Sequence, residues 1–272
     1  MMLGADRIEA LAGGALRADA VTFEAGHSDD QAVVTGVAQP VLLEYTPATP
    51  NGRAMLVIGG GGYVALMAGR EGLAVAQWLN RLGYHAFVLI HRFPDAANGP
   101  AAPLDDAAAA MRIVQSRGFA GVGVVGLSSG GHLAACLAAE RPASWPSEQT
   151  PRPDVMVIGY APISTNAKGR TIVADKPPLP PVEKQALYDA LQPDAQLLAG
   201  PPPAFIVYAG NDPVVPVENA RRLHAAWQAA GGAAELHVFA DAPHGFALDT
   251  LGLPVSLWPT LCEAWLRQVG FL

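Results

Sequence analysis

One serine stands at the centre of Gly126-Leu127-Ser128-Ser129-Gly130, a stretch that fits the pattern G-x-S-x-G. A serine held on a tight strand-to-helix turn requires glycine two residues before it and two residues after it, because side chains there would collide with the turn. The apolar run 120–125 precedes the motif, and the alanine- and leucine-rich run 131–140 follows it. This order of strand, turn and helix predicts that Ser128 is a catalytic nucleophile.

A serine hydroxyl is a weak nucleophile at neutral pH, so it needs a histidine base and an acid that orients the histidine. Asp212 follows the predicted strand 204–208, at the strand end where parallel sheets keep functional groups, and it is the candidate acid. Asp241 and Asp249 are weaker candidates, because they lie beside or beyond the candidate histidine. The alternative for Asp212 is a structural cap of the turn before Pro213 or of the following helix.

His244 is the candidate base. It lies between Pro243 and Gly245 in the loop after the predicted strand 234–239, where the glycine lets an imidazole turn toward the serine. His132 is the rival closest in sequence, but it lies inside the helix after Ser128 and is expected to point back along that helix. His85, His91, His224 and His237 lie inside predicted strands, at a strand end or in a helix, so we expect structural roles for them. His27 lies too far upstream of Ser128 to be the base.

Four glycines, Gly59 to Gly62, precede Tyr63 between the predicted strand 54–58 and the predicted helix 71–82. Backbone N–H groups in such a loop stabilise a developing oxyanion, and glycine lets the backbone approach the substrate. We predict that the amides of Gly61, Gly62 and Ser129 are the donors. The alternative is a phosphate-binding loop, but no Lys-Ser/Thr pair follows it and no G-x-G-x-x-G pattern with a ribose-binding acid is present.

Short apolar runs alternate with helix-like segments along most of the chain. This alternation predicts a single α/β domain, 1–272, with a mostly parallel sheet of about eight strands and helices on both faces. The proline-rich segment 163–203 interrupts the alternation and predicts a small flap or cap. The expected strands are 32–38, 41–45, 54–58, 84–90, 120–125, 154–160, 204–208 and 234–239; the expected helices are 71–82, 104–117, 131–140, 182–191, 217–230 and 257–269.

The composition of the 272 residues narrows the classes of partner. Half of the residues are hydrophobic (51%) and only 15% are charged, which favours a folded domain with a sizeable core. The net charge of -7 and the scattered lysines and arginines argue against nucleic acid and anionic membranes. No apolar run reaches the ~18 residues of a membrane span. The first 20 residues lack a signal-peptide pattern. The two cysteines, Cys136 and Cys262, lack the spacing of a metal site. A cytoplasmic protein is the expectation, and its oligomeric state stays open.

Four motifs occur in one order: GGGGY at 59–63, GLSSGGHLAA at 126–135, NDPVVP at 211–216 and PHGF at 243–246. With them the chain resembles the α/β-hydrolase superfamily over roughly 33–272, and it is similar to compact bacterial esterases of the acetylxylan esterase-like and feruloyl esterase-like kind. The resemblance implies a serine carboxylesterase without metal or organic cofactor. Many relatives carry a histidine before the glycines as an anchor of the loop, whereas this chain has Ile58 and Gly59 there.

The expected substrate is a short-chain, acetyl-like ester of a small molecule or a carbohydrate, because the small insertion favours short acyl groups and a bulky alcohol. An arylformamidase or a peptidase using the same three residues is the alternative within the enzymes. Outside that class, the alternatives are a non-catalytic ligand-binding protein on the same scaffold and a nucleotide-binding enzyme that uses the glycine loop.

Overall fold

The computed structural model of the chain describes residues 2–145, 151–170, 172–173 and 176–272. Thr171, Ala174 and Asp175, within the expected insertion, lie outside the described residues. The strands are β1 (Arg7–Ala10), β2 (Val21–Phe23), β3 (Val34–Val37), β4 (Val41–Tyr45), β5 (Ala54–Ile58), β6 (His85–Ile90), β7 (Val122–Leu127), β8 (Met156–Gly159), β9 (Ala204–Ala209) and β10 (Ala234–Phe239). The α-helices are α1 (Ala74–Arg81), α2 (Ala102–Gln115), α3 (Ser129–Cys136), α4 (Val182–Ala190), α5 (Pro193–Gln196), α6 (Glu218–Ala229) and α7 (Trp258–Gln268).

Eight of these strands form one sheet in the order β1-β4-β6-β5-β7-β8-β9-β10. Strand β4 runs antiparallel to both of its neighbours, and every pairing from β6 to β10 is parallel. The central strands β5, β7 and β9 are apolar and buried along their full length, as a sheet covered on both faces requires, whereas β10 at the edge is half-exposed. The predicted α/β fold with a mostly parallel sheet is confirmed.

The position of one strand differs from expectation. The predicted strand 32–38 forms β3, which pairs with β2 in a separate two-stranded sheet, and β1 takes its place in the main sheet. Strand β1 is a four-residue edge strand in which only Ala10 is fully buried. An edge strand pairs on one side only and carries polar residues, so its sequence gives little hydrophobic signal.

The helices divide between the two faces of the sheet according to the direction of each crossover. The chain moves from β5 to β6 through α1 and then returns across β5 to β7 through α2, so right-handed connections place α1 and α2 on opposite faces. Helix α7 joins α1, because the rings of Trp78 and Trp258 lie 5.3 Å apart in an edge-to-face contact. Helices α2 and α3 contact one another, as do α3 and α5, and α5 and α6.

The segment between β8 and β9 contains α4 and α5. Its residues Leu187, Tyr188 and Leu191 are buried in the same core as the sheet, so the segment packs onto the main domain. Its role as a flap stays a prediction. No helix in the described ranges is both long enough and apolar enough to cross a membrane.

Candidate active site

Ser128 occupies the strained turn between β7 and α3. Its backbone angles are φ 51° and ψ −124°, a conformation that residues with a side chain rarely adopt. A Cβ on Gly126 would lie 2.4 Å from the carbonyl oxygen of Gly130, and a Cβ on Gly130 would lie 2.0 Å from the carbonyl oxygen of Ile58. Both flanking glycines are therefore required by contacts with backbone, as the pattern G-x-S-x-G predicts.

The structure brings Ser128, His244 and Asp212 together in one hydrogen-bonded chain. Ser128 Oγ lies 3.1 Å from His244 Nε2, and His244 Nδ1 lies 2.7 Å from Asp212 Oδ2. Because the carboxylate can only accept, Nδ1 carries the proton and Nε2 is free to accept from the serine hydroxyl. The three residues follow β7, β9 and β10, so the carboxyl ends of parallel strands position all of them.

Asp212 is buried and well supplied with hydrogen bonds. Its Oδ1 accepts the amides of Val214 and Val215, each at 2.8 Å, while its Oδ2 faces His244. Burial on its own would raise the pKa of Asp212, but the hydrogen bonds from His244, Val215 and Val214 outweigh it and hold the pKa below the ordinary value. The residue caps a turn, as the alternative proposed, and it faces the histidine as well.

His132 lies elsewhere, as its place in the helix predicted. Its ring is fully buried, Tyr63 donates its hydroxyl to Nδ1 at 2.9 Å, and Nε2 donates to the carbonyl of Leu191 at 2.9 Å. Burial lowers the pKa of His132 to about 4, so the ring is neutral over most of the pH range. It is a structural residue between the glycine loop and the insertion.

The glycine loop follows β5 and lies beside Ser128. A Cβ on Gly60 would come within 2.6 Å of Ser128 Cβ, and one on Gly61 within 2.2 Å of the carbonyl oxygen of Ala65, so only glycine fits at these two positions. Gly61 and Gly62 adopt positive φ angles of 135° and 66°. The loop therefore has the close backbone approach to the nucleophile that the sequence predicted.

The amide of Gly62 is placed differently from the expectation that it is an oxyanion donor. It donates to Ser129 Oγ at 2.9 Å, so it is already occupied. Within the described ranges, the amides of Gly61 and Ser129 make no hydrogen bond. Both amides are therefore free to donate to a substrate oxygen. The side chain of Ser129, which sequence reasoning did not use, closes the loop against the start of α3.

Glu71 is the second contact of the loop that sequence reasoning missed. It lies in a π-helical turn, Ala68–Leu73, that leads into α1. Such segments are rare in proteins, and those that occur are often found at functional sites. Its Oε2 accepts the amide of Gly60 at 2.6 Å and its Oε1 accepts the hydroxyl of Tyr160 at 3.1 Å. A side-chain carboxyl thus holds the loop in a chain that lacks the histidine of many relatives.

A sequence signal for Glu71 exists. Glu71 stands four and eight residues before Val75 and Leu79, which are fully buried, so it shares the apolar face of the predicted helix. A lone carboxyl on a buried face requires hydrogen-bond partners and marks a candidate site.

In the described part of the chain no three side chains of His, Cys, Asp or Glu are grouped so as to hold a metal ion.

The chain is similar in sequence to a known family and to two known proteins. A family model described as alpha/beta hydrolase fold matches residues 55–248. An acetylxylan esterase from Xylanibacter ruminicola is 28% identical over 246 residues, 84% of this chain and 46% of that protein. Endo-1,4-beta-xylanase B from Butyrivibrio fibrisolvens is 30% identical over 185 residues, 61% of this chain and 28% of that protein. The chain thus spans less than half the length of either relative.

Solved structures match over almost the whole chain. The acetyl ester-xyloside bifunctional hydrolase from Caldicellulosiruptor lactoaceticus superposes with a TM-score of 0.71 at 26% identity, covering 98% of both chains. Esterase 2 from Thermogutta terrifontis, phosphonylated by cyclosarin, has a TM-score of 0.72 at 21% identity, covering 100% of this chain and 97% of that one. The second match speaks for the fold alone. From the family model and the site together, the chain belongs to the alpha/beta hydrolase fold family.

Proposed function

We propose that the protein is a serine carboxylesterase that hydrolyses short-chain, acetyl-like esters, with Ser128 as nucleophile, His244 as general base and Asp212 as the acid that orients it. The observation that carries the proposal is the chain of hydrogen bonds from Ser128 Oγ to His244 Nε2 at 3.1 Å and from His244 Nδ1 to Asp212 at 2.7 Å. The buried carboxylate fixes the tautomer that leaves Nε2 free to take a proton.

In the first half of the reaction, Ser128 Oγ attacks the ester carbonyl carbon while its proton passes to His244 Nε2. The carbonyl oxygen becomes an oxyanion and accepts hydrogen bonds from the amides of Gly61 and Ser129. Collapse of this intermediate breaks the bond to the alcohol, which leaves with the proton from His244. Losing one oxyanion donor typically costs about 2.7–4 kcal/mol of transition-state stabilisation.

In the second half, a water molecule gives a proton to His244 and attacks the acyl-serine carbonyl. A second oxyanion forms at the same two amides, and its collapse releases the carboxylic acid and returns the proton to Ser128. Every step uses groups of this chain and water, so the proposed cycle requires no cofactor. The side chain of His244 is 21% exposed, which gives water access to the base.

Acetylated carbohydrates are the proposed substrates, because the names of two similar proteins point to them. One relative is an acetylxylan esterase and one similar structure is an acetyl ester-xyloside hydrolase.

A panel of nitrophenyl esters with acetyl, butyryl and octanoyl groups, together with acetylated xylose, tests acyl length and alcohol. The proposal predicts the highest kcat/KM for acetyl esters; equal or higher values for octanoyl esters would contradict it. No observation favours the amide substrates of an arylformamidase or a peptidase.

Replacement of the nucleophile tests the reaction itself. We expect Ser128→Ala to keep the thermal stability of the fold and to lower kcat for nitrophenyl acetate by about 10⁶-fold, the loss typical of a nucleophilic serine. Ser256→Ala is the matched control, because the Ser256 hydroxyl bonds only the carbonyl of Leu253 outside the site. Normal hydrolysis by Ser128→Ala would show that another group is the nucleophile.

A further inference from the structure

Glu71 is a buried carboxyl group that the mechanism above does not use. Only 4% of the residue is exposed, and its two oxygens contact two different parts of the site. Oε2 accepts the amide of Gly60 at 2.6 Å, and Oε1 accepts the hydroxyl of Tyr160 at 3.1 Å. The same hydroxyl accepts the amide of Ala247, in the loop after His244, at 3.3 Å. One carboxyl therefore connects the glycine loop, residues 59–62, which we call the oxyanion loop below, with the loop that carries His244.

The carboxyl also lies beside the backbone that flanks both reacting residues. A Cβ placed on Gly60 would be 2.7 Å from Glu71 Oε2 and 2.6 Å from Ser128 Cβ, so only a glycine separates the carboxyl from the nucleophile. A Cβ placed on Gly245, the residue after His244, would be 3.7 Å from Glu71 Oε1. From this position the negative charge of Glu71 attracts a positive charge on His244.

We propose that Glu71 is a positioning residue of the proposed esterase: its carboxylate fixes the amide of Gly60 and with it the oxyanion loop, and its negative charge stabilises the protonated His244 that forms when Ser128 attacks. The inference rests on the proposed function. It assigns to Glu71 two roles, the anchoring of the glycine loop and an electrostatic one.

Asp212, Tyr160 and Arg70 are the other charged or titratable side chains described around His244 and its loop. Asp212 faces Nδ1 from the loop after β9, and Tyr160, after β8, lies against the ring with centroids 5.4 Å apart. Arg70 donates to the carbonyl of Gly245, but its charge is paired with Asp249 at 2.7 Å. Asp212 is thus the carboxylate bonded to the imidazole, and Glu71 adds a second negative charge that acts on it.

Glu71 carries a cost that distinguishes it from a residue retained for stability. Burial raises the pKa of Glu71, although the hydrogen bonds from Gly60 and Tyr160 and the charges of His244 and Arg70 oppose the shift. The unfolded chain therefore loses this proton at a lower pH than the folded chain, and the contribution of Glu71 to stability falls as pH rises above the ordinary value of 4.5. Removing the charge should stabilise the fold at pH 7 and leave it unchanged near pH 4.

The experiment compares Glu71→Gln and Glu71→Ala with the wild-type protein. The amide of Gln can still accept from Gly60 and donate to the Tyr160 oxygen, so this variant removes the charge and keeps the anchor. Glu263→Gln is the matched control: Glu263 is a half-buried carboxyl on α7 that accepts Trp78 Nε1 at 3.0 Å away from the site. Kinetics with nitrophenyl acetate, thermal unfolding at pH 4 and pH 7, and hydrogen exchange of the Gly60 amide by NMR are measured for each.

For Glu71→Gln we expect kcat to fall about tenfold at unchanged KM, exchange of the Gly60 amide hydrogen to stay as slow as in the wild type, and the unfolding temperature to rise at pH 7. Glu71→Ala should lose more activity and exchange this hydrogen faster, because the Gly60 amide is then also released. Glu263→Gln should leave kcat and the exchange of the Gly60 amide unchanged.

A wild-type kcat in Glu71→Gln, or exchange of the Gly60 amide in Glu71→Ala as slow as in the wild type, would overturn the proposal. The two readouts also separate it from the proposed function. If the wild-type protein hydrolyses no ester, the proposed function fails. Amide exchange, which requires no turnover, then decides alone whether Glu71 fixes the glycine loop.

Discussion

Asp212 holds the position on which the chemistry of the imidazole depends. Its Oδ1 is occupied by two backbone amides at 2.8 Å, so Oδ2 is the oxygen that faces His244. The carboxyl is thereby fixed before any substrate binds, and it dictates which ring nitrogen carries the proton. A neutral amide in its place would offer an N–H to the ring and favour the other tautomer.

We therefore expect Asp212→Asn to fold normally and to lower kcat by about 10⁴-fold, as loss of the correct tautomer does in a serine triad. The control is Asp241→Asn. Asp241 lies closer to His244 in sequence but bonds the side chain of Asn211 at 2.5 Å, so its removal should change kcat less than twofold. Initial rates on nitrophenyl acetate measure both, and a large loss in Asp241→Asn alone would transfer the role of the acid.

The sequence predicted the residues of the hydrogen-bonded chain better than those that anchor the loop. Ser128, Asp212 and His244 each follow a strand of the parallel part of the sheet, so their convergence follows from strand order and periodicity. The engagement of the Gly62 amide by Ser129 Oγ and of the Gly60 amide by Glu71 depends on side chains from two other elements. Such contacts form only once helices have packed, and local pattern does not encode them.

At the scale of elements, the turn around Ser128 holds β5, β7 and α3 in contact. The Gly130 Cα lies so close to the end of β5 that an added Cβ would be 2.0 Å from the carbonyl of Ile58, and a backbone atom cannot swing aside as a long side chain can. Gly59 is nearby, but a Cβ there would meet Glu71 at 3.5 Å, an ordinary contact.

Gly130→Ala should therefore destabilise the fold by about 1–3 kcal/mol or more, whereas Gly59→Ala should stay within about 1 kcal/mol of the wild type. Urea unfolding followed by circular dichroism measures the two free energies of unfolding. Equal stabilities of the two variants would mean that the elbow is looser than its contacts indicate.

The elements themselves were predictable wherever burial imposes a pattern. The central strands β5, β7 and β9 are buried along their full length and stand out as apolar runs, and α2 and α6 begin and end within two residues of expectation. The errors lie at the margin of the sheet. Strand β1 is half exposed, and β3 pairs outside the main sheet, a choice of partner that periodicity does not specify.

Across the whole molecule, the buried histidines make stability depend on pH. Burial lowers the pKa of His132 from the ordinary 6.5 to about 4, and burial also lowers that of His91. Between these values the unfolded chain binds protons that the folded chain does not, so stability rises with pH. The contribution of these histidines to stability is complete above pH 6.5 and is lost as pH falls toward 4.

For His132 the difference amounts to about 3 kcal/mol, the largest loss expected between pH 6.5 and pH 4 from this residue. Thermal unfolding at several pH values measures it. His132→Gln should be less stable at pH 7, because the Tyr63 and Leu191 contacts are disturbed, and should show a smaller slope of stability with pH. A slope in His132→Gln equal to that of the wild type would contradict the buried, neutral state of His132.

The proposed reaction requires that Ser128 forms a covalent acyl-enzyme. Intact-mass spectrometry of the protein after brief reaction with nitrophenyl acetate or a fluorophosphonate, followed by peptide mapping of the adduct, tests this requirement. We expect one adduct per chain, located on Ser128 and absent from Ser128→Ala. An adduct on the neighbouring Ser129, or ester hydrolysis with no adduct under either reagent, would contradict it.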